Sequence, residues 1–155
     1  MKLIRTFLII LVIFGVLAAF ADSQFKKSIR NARVTACAMN MRSLWQISTN
    51  YSIQYCPPYR RIRTDFLDLQ KGQRPVLTDF RVFFCPLSGE KVRPGYCSYL
   101  GPFNNLRLAD GREIVAADRP GNHGPGEGGF VLLKTGDIFH APASDPVWRI
   151  IPVPP

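Results

Sequence analysis

An uncharged apolar run from Phe7 to Ala21 leads into a stretch, Ser23 to about Tyr55, that contains neither glycine nor proline. Proline removes a backbone donor and glycine is costly inside a helix. A stretch this long without either predicts one extended helix. Phe25, Ile29, Cys37, Leu44, Ile47 and Tyr51 recur at steps of three, four or seven, with Ala32 or Ala36 bridging the one longer gap. That is the period of an amphipathic helix of about 30 residues. Lys27, Arg30, Arg33 and Arg42 supply its polar face. No stop signal separates it from the apolar run, and Cys56-Pro57-Pro58 ends it.

Two readings of the apolar run compete. Lys2 and Arg5, the apolar centre and the small-residue end Ala19-Phe20-Ala21 before Asp22 have the layout of a signal peptide. As an anchor the run reaches about 22 Å against a hydrocarbon layer of about 30 Å. Leu3 and Ile4 extend it, with Lys2 and Arg5 snorkelling toward the headgroups. The uninterrupted helix beyond Ala21 favours the anchor, since a secreted domain more often begins with a loop. Lys26, Lys27, Arg30 and Arg33 balance the basic residues at the near end, so charge does not orient the segment. In both readings the remaining chain lies outside the cytoplasm. The expected organisation is an anchor or signal segment over 1–21, one folded domain over 22–142 and a proline-rich tail over 143–155. About 130 residues beyond the leader suffice for one core and not two. The net charge of +9 favours anionic partners and says nothing about fold.

The second half reads as short strands and turns. Thr64 to Gln70 is a candidate short helix capped by Thr64. Val82–Phe84 and Tyr96–Leu100 are strand candidates. Asp110-Gly111 signals a turn before a strand over Arg112–Ala117. Phe130–Leu133 and Asp137–Ala141 form a hairpin about Lys134-Thr135-Gly136, and the stretch after Pro142 reads as extended.

Four segments in order resemble the prepilin-type proteins that carry an H-x9-DG signature. Ala32 to Ile47, with Cys37, Asn40 and Arg42, resembles the family's post-membrane helix. Phe83-Phe84-Cys85-Pro86 resembles its Cys-Pro segment, and Tyr96-Cys97-Ser98-Tyr99 its serine–tyrosine strand. Asp118, Gly121, Asn122 and His123, followed by Thr135-Gly136, resemble the C-terminal signature. Here eleven residues follow His123 where the family has nine, and Thr135 replaces the family's Asp. The glycine-rich loop Gly124 to Gly129 absorbs the two extra residues. At the N-terminus Arg5 stands where the family has the glycine before its cleavage site, and Ile10 where it has a glutamate. Cleavage and bulk filament assembly are therefore in doubt.

The resemblance implies an α+β pilin-like fold, a long N-terminal helix packed on a small antiparallel sheet. It implies a non-catalytic, pseudopilin-like component of a type II secretion or type IV pilus-like apparatus. Its partners would be other pilin-like subunits or apparatus proteins. The protein would cross the inner membrane once, with its domain in the periplasm or outside the cell. The competing class is a signal-peptide-processed periplasmic binding module for DNA or another polyanion. Arg60, Arg61 and Arg63 beside Tyr51, Tyr55 and Tyr59 could grip phosphates while the rings stack on bases.

An even number of cysteines in an exported chain suggests disulfides. Three pairings are open, and the favoured one joins Cys37 to Cys85 and Cys56 to Cys97. No Cys-x2-Cys pair is present, so neither a metal nor another cofactor is expected. Asp110, Asp118, Asp137 and Asp145 lack the spacing of an EF-hand. His123, in a glycine–proline loop, is expected to bond free backbone groups, and His140 to lie on the surface. No catalytic residue is expected.

Overall fold

The structure is a computed structural model that describes residues 2–55, 66–71 and 79–152. Helix α1, Lys2–Tyr55, is one unbroken helix of 54 residues, as its freedom from proline predicts. The chain divides into two compact units, Met1–Arg33 and Val34–Pro155. In the first, every described side chain from Ile4 to Arg33 is exposed, including the apolar residues from Phe7 to Phe20. This helix is long and apolar enough to cross a membrane.

In the second unit α1 becomes amphipathic. Cys37, Met41, Leu44 and Ser48 are its buried residues among those described, at the i, i+4, i+7, i+11 spacing of one helix face. The sequence placed this stripe too early: Phe25 is 65% exposed and Ile29 38%. Met41 and Ser48 replace them. The period was right, but only the part of α1 from Cys37 on meets a core.

The short α2, Asp68–Lys71, follows two turn residues, of which Phe66 is fully buried. Thr64, its expected cap, lies outside the described residues. Val82–Phe84 is not a strand. Phe80–Phe83 forms a 3-10 turn, because the Asp79 side chain accepts the Arg81 backbone N–H at 2.9 Å and starts it. The sheet consists of β1 (Tyr99–Leu100), β2 (Leu106–Arg107), β3 (Glu113–Asp118), β4 (Gly129–Leu133) and β5 (Ile138–Ala141). All pairings are antiparallel. The order is β1-β3-β4-β5, and β2 also pairs with β3. Since β4 occupies one edge of β3, β1 and β2 share the other.

Strand β3 is the centre of the sheet, with five of its six residues buried. Its alternation is broken by a register shift between Ile114 and Ala116. On one face Tyr99, Val115, Ala116 and Leu132 pack with Cys37, Met41 and Leu44 of α1. On the other, Leu100, Ile114, Ala117, Val131 and Leu133 pack with Val147 and Ile151. A sheet covered on both faces reads as a continuous apolar run, which is why Phe130-Val131-Leu132-Leu133 shows no polar alternation.

The second cover corrects the expectation of an extended tail. After Pro142 the chain turns and forms α3, Val147–Ile150. Asp145 accepts the Val147 N–H at 2.9 Å and Trp148 donates Nε1–H to the Pro142 carbonyl at 2.8 Å. Pro146 sits immediately before the helix, where its fixed φ and missing N–H cost nothing.

Replacing Leu44 by alanine should cost about 2–5 kcal/mol of domain stability. Phe25→Ala should change it by less than about 0.5 kcal/mol. Truncation after Pro142 should remove at least about 3 kcal/mol by deleting Val147 and Ile151 and uncovering Leu100, Val131 and Leu133. A dispensable extended tail would leave stability unchanged. Denaturant unfolding of the detergent-solubilised full chain reads all three.

Candidate functional site

The C-terminal end of β3 places a carboxylate inside the protein. Asp118 is fully buried, and its oxygens are held from several directions. Oδ2 accepts the Phe130 N–H from β4 at 2.7 Å and lies 3.1 Å from His123 Nε2. Oδ1 accepts the Cys37 thiol at 3.3 Å and the Asn122 amide at 3.4 Å. Glycine at 129 permits this close approach. A Cβ there would sit 2.8 Å from the Asp118 Cβ. Gly128, just before it, has a positive φ of 77° and its Cβ would collide with the Ala141 carbonyl.

The loop after β3 folds back to deliver His123. The Asn122 N–H donates to the Arg119 carbonyl at 3.2 Å, and its side-chain amide donates to the Ser98 carbonyl at 2.6 Å. Arg119 donates its backbone N–H to the same Ser98 carbonyl at 2.9 Å. The loop is thus pinned to the segment preceding β1. The His123 ring packs edge-on against Phe130, centroids 5.2 Å apart, and its Nε2 lies 3.3 Å from Cys37 Sγ.

Cys85 completes the set. One donor atom each from Cys37, Cys85, Asp118 and His123 lies within 4.8 Å of the other three, and all four residues are buried. The Cys85 segment is fixed from behind, because Phe84 O accepts both the Asn40 amide and the Tyr99 hydroxyl at 3.2 Å. Hydrogen bonding from Cys37 pushes the Cys85 thiol down to about 6, against the opposing effect of burial. The same bond, with burial, pushes Cys37 far up. Burial is the largest single influence on the His123 imidazole and would lower it, but the bonds and charges of Asp118 and Cys85 together outweigh it and hold the ring up at about 9.

Three of the residues expected as a C-terminal signature therefore act together: Asp118, Asn122 and His123. Gly121 is exposed in the turn that leads to them. Thr135 and Gly136 lie elsewhere, at the β4–β5 hairpin. There the Thr135 hydroxyl donates to Asp137 at 2.7 Å, and Gly136 O accepts the Arg42 guanidinium at 2.7 Å. The helix thus reaches three separate segments through Cys37, Asn40 and Arg42. His140 is exposed, its ring 6.3 Å from that of His123.

Two expectations need correction. Cys37 and Cys85 come together as paired in the sequence reading, but they are free thiols and not a disulfide. Each is engaged in the hydrogen-bonded cluster with His123, and Cys37 also bonds Asp118. His123 bonds side chains, Asp118 and Cys37, where the sequence suggested backbone groups. Cys97 is buried outside the cluster and accepts the Tyr99 N–H at 3.4 Å. Cys56 and the arginines 60, 61 and 63 lie outside the described residues. Among the sequence signals, the absence of a Cys-x2-Cys pair argued against metal binding, yet the fold assembles four ligand-type side chains from distant positions.

Chemically, two thiols, an imidazole and a carboxylate around one point can hold a transition-metal ion, form a disulfide on oxidation, or act as a polar pin. The His123 and Asp118 side chains are only 3% and 0% exposed. The recess beside the loop, bordered by Pro120, Gly124, Pro125 and Trp148, is lined by no ionisable side chain among the described residues. Comparison with protein-family models, curated proteins and solved structures finds no match.

His123→Ala removes one member of a buried ionisable pair and strands the other. It should destabilise the domain by roughly 3–5 kcal/mol. Asn40→Ala leaves Phe84 O with its Tyr99 partner and should cost only about 1 kcal/mol. Equilibrium unfolding of the two variants checks the ranking.

Proposed function

We propose that the chain is a membrane-tethered, non-catalytic assembly subunit, a pseudopilin-like component of a type II secretion or type IV pilus-like apparatus. The observation that carries this reading is the double character of α1. Up to Arg33 its described side chains are all exposed, with an uncharged apolar run from Phe7 to Ala21, and from Cys37 it supplies the buried stripe of an α+β domain. An exposed apolar helix surface of that length calls for lipid or for other helices around it. In this reading the apolar segment holds the subunit in the inner membrane and packs against neighbouring helices, and the domain faces the periplasm or the cell exterior. The ordered resemblance of the four motif segments to prepilin-type proteins points the same way. Arg5 and Ile10, at the positions of the family's cleavage glycine and its glutamate, favour a minor or accessory subunit over a bulk filament protein.

The competing reading, a released periplasmic module that binds a polyanion, differs in its mature N-terminus. Fractionation with N-terminal sequencing tests the two. The expected result is a membrane-bound chain retaining residues 1–21 through alkaline extraction. A soluble species beginning at Asp22 would sink the anchor and favour the binding module.

A further inference from the structure

We infer that Cys37, Cys85, Asp118 and His123 form a binding site for a single zinc-like divalent transition-metal ion, one that ties α1 to the sheet. The inference rests on the domain alone and holds whether or not the chain is anchored. Four donors from four segments of the chain converge on one point. The separations among Cys37, Asp118 and His123 are close to those of a coordination shell. Zinc bonds of about 2.0–2.3 Å place the vertices of a tetrahedron about 3.3–3.8 Å apart. Here Cys37 Sγ lies 3.3 Å from His123 Nε2 and 3.3 Å from Asp118 Oδ1, and His123 Nε2 lies 3.1 Å from Asp118 Oδ2. The fourth donor, Cys85 Sγ, lies within 4.8 Å of the other three.

The donor set selects the ion class. Two sulfurs and an imidazole suit a borderline-soft metal, while calcium and magnesium require oxygen shells. Binding requires both thiols deprotonated and the imidazole neutral, so it releases protons, and the dication offsets the charge that two thiolates and a carboxylate would bring into the core. Outer partners are in place as well. Phe130 N–H and the Asn122 amide orient the carboxylate, and Asn40 and Tyr99 fix the carbonyl beside Cys85. Four protein donors, all buried, leave no position for substrate, so the ion is structural.

The test uses the full-length chain, purified in detergent under reducing conditions without chelator and then supplied with Zn2+ and desalted. Elemental analysis should find about one zinc per chain, with Cys85→Ser and His123→Ala each losing most of it. His123→Cys supplies another zinc ligand and should retain the ion, which separates a coordinating role from a hydrogen-bonding one. Should the variants fail to fold, Co2+ in the unaltered chain gives a direct reading. The expected result is the visible absorption of tetrahedral cobalt with thiolate ligands, abolished by prior alkylation of the cysteines. Wild-type protein that takes up neither Zn2+ nor Co2+ would overturn the proposal. So would zinc bound equally by all the variants. Finally, unreduced protein as isolated should yield Cys37 and Cys85 as separately alkylated thiols once the metal is chelated. A Cys37–Cys85 disulfide in metal-free protein would show that the pair serves as a covalent staple instead.

Discussion

The carboxylate of Asp118 has no solvent to answer to, and the rest of the domain is arranged so that it does not need any. A charge in that position is tolerable only when every lone pair is engaged. Its partners come from the next strand through Phe130, from the following loop through Asn122 and His123, and from α1 through Cys37. Each satisfies the carboxylate and at the same time fixes its own segment. Glycine at 129 follows from this requirement, since a side chain there would push β4 away from Asp118 and lengthen the Phe130 bond.

The same logic explains how a helix is held to a small sheet. Apolar burial by Met41 and Leu44 supplies area without direction. Direction comes from three polar contacts of α1, Cys37 to the Asp118 cluster, Asn40 to Phe84 O and Arg42 to Gly136 O. They fall within six residues of one helix and reach three separate parts of the chain. Because each of those partners is a fixed backbone or buried group, a rotation or slide of the helix would break all three together.

Much of this was legible in the sequence, and the misses have physical causes. The length of α1 followed from missing prolines and glycines, and β3, β4 and β5 from their apolar runs and turn residues. Phe25 and Ile29 kept the helical period but were assigned to a core that begins only at Cys37, because periodicity identifies a face and not what covers it. The C-terminal prolines suggested an extended tail. Yet Pro146 precedes a helical turn whose Val147 and Ile151 close the second face of the sheet. Cys37 and Cys85 were correctly set side by side, but the sequence offered no sign that Asp118 and His123 would join them. That gathering depends on a strand end, a folded-back loop and a helix face meeting in space, and no short spacing encodes it.

The central claim is that helix and sheet are joined through this buried cluster and not merely pressed together by apolar area. A double-mutant cycle between Cys37→Ala and His123→Ala, read by equilibrium unfolding of the full chain in detergent, tests it most directly. Residues in one buried network couple by about 0.5–3 kcal/mol, and the account predicts a coupling of more than about 1 kcal/mol. Additive effects within about 0.3 kcal/mol would contradict it, since the two side chains would then act independently despite lying 3.3 Å apart.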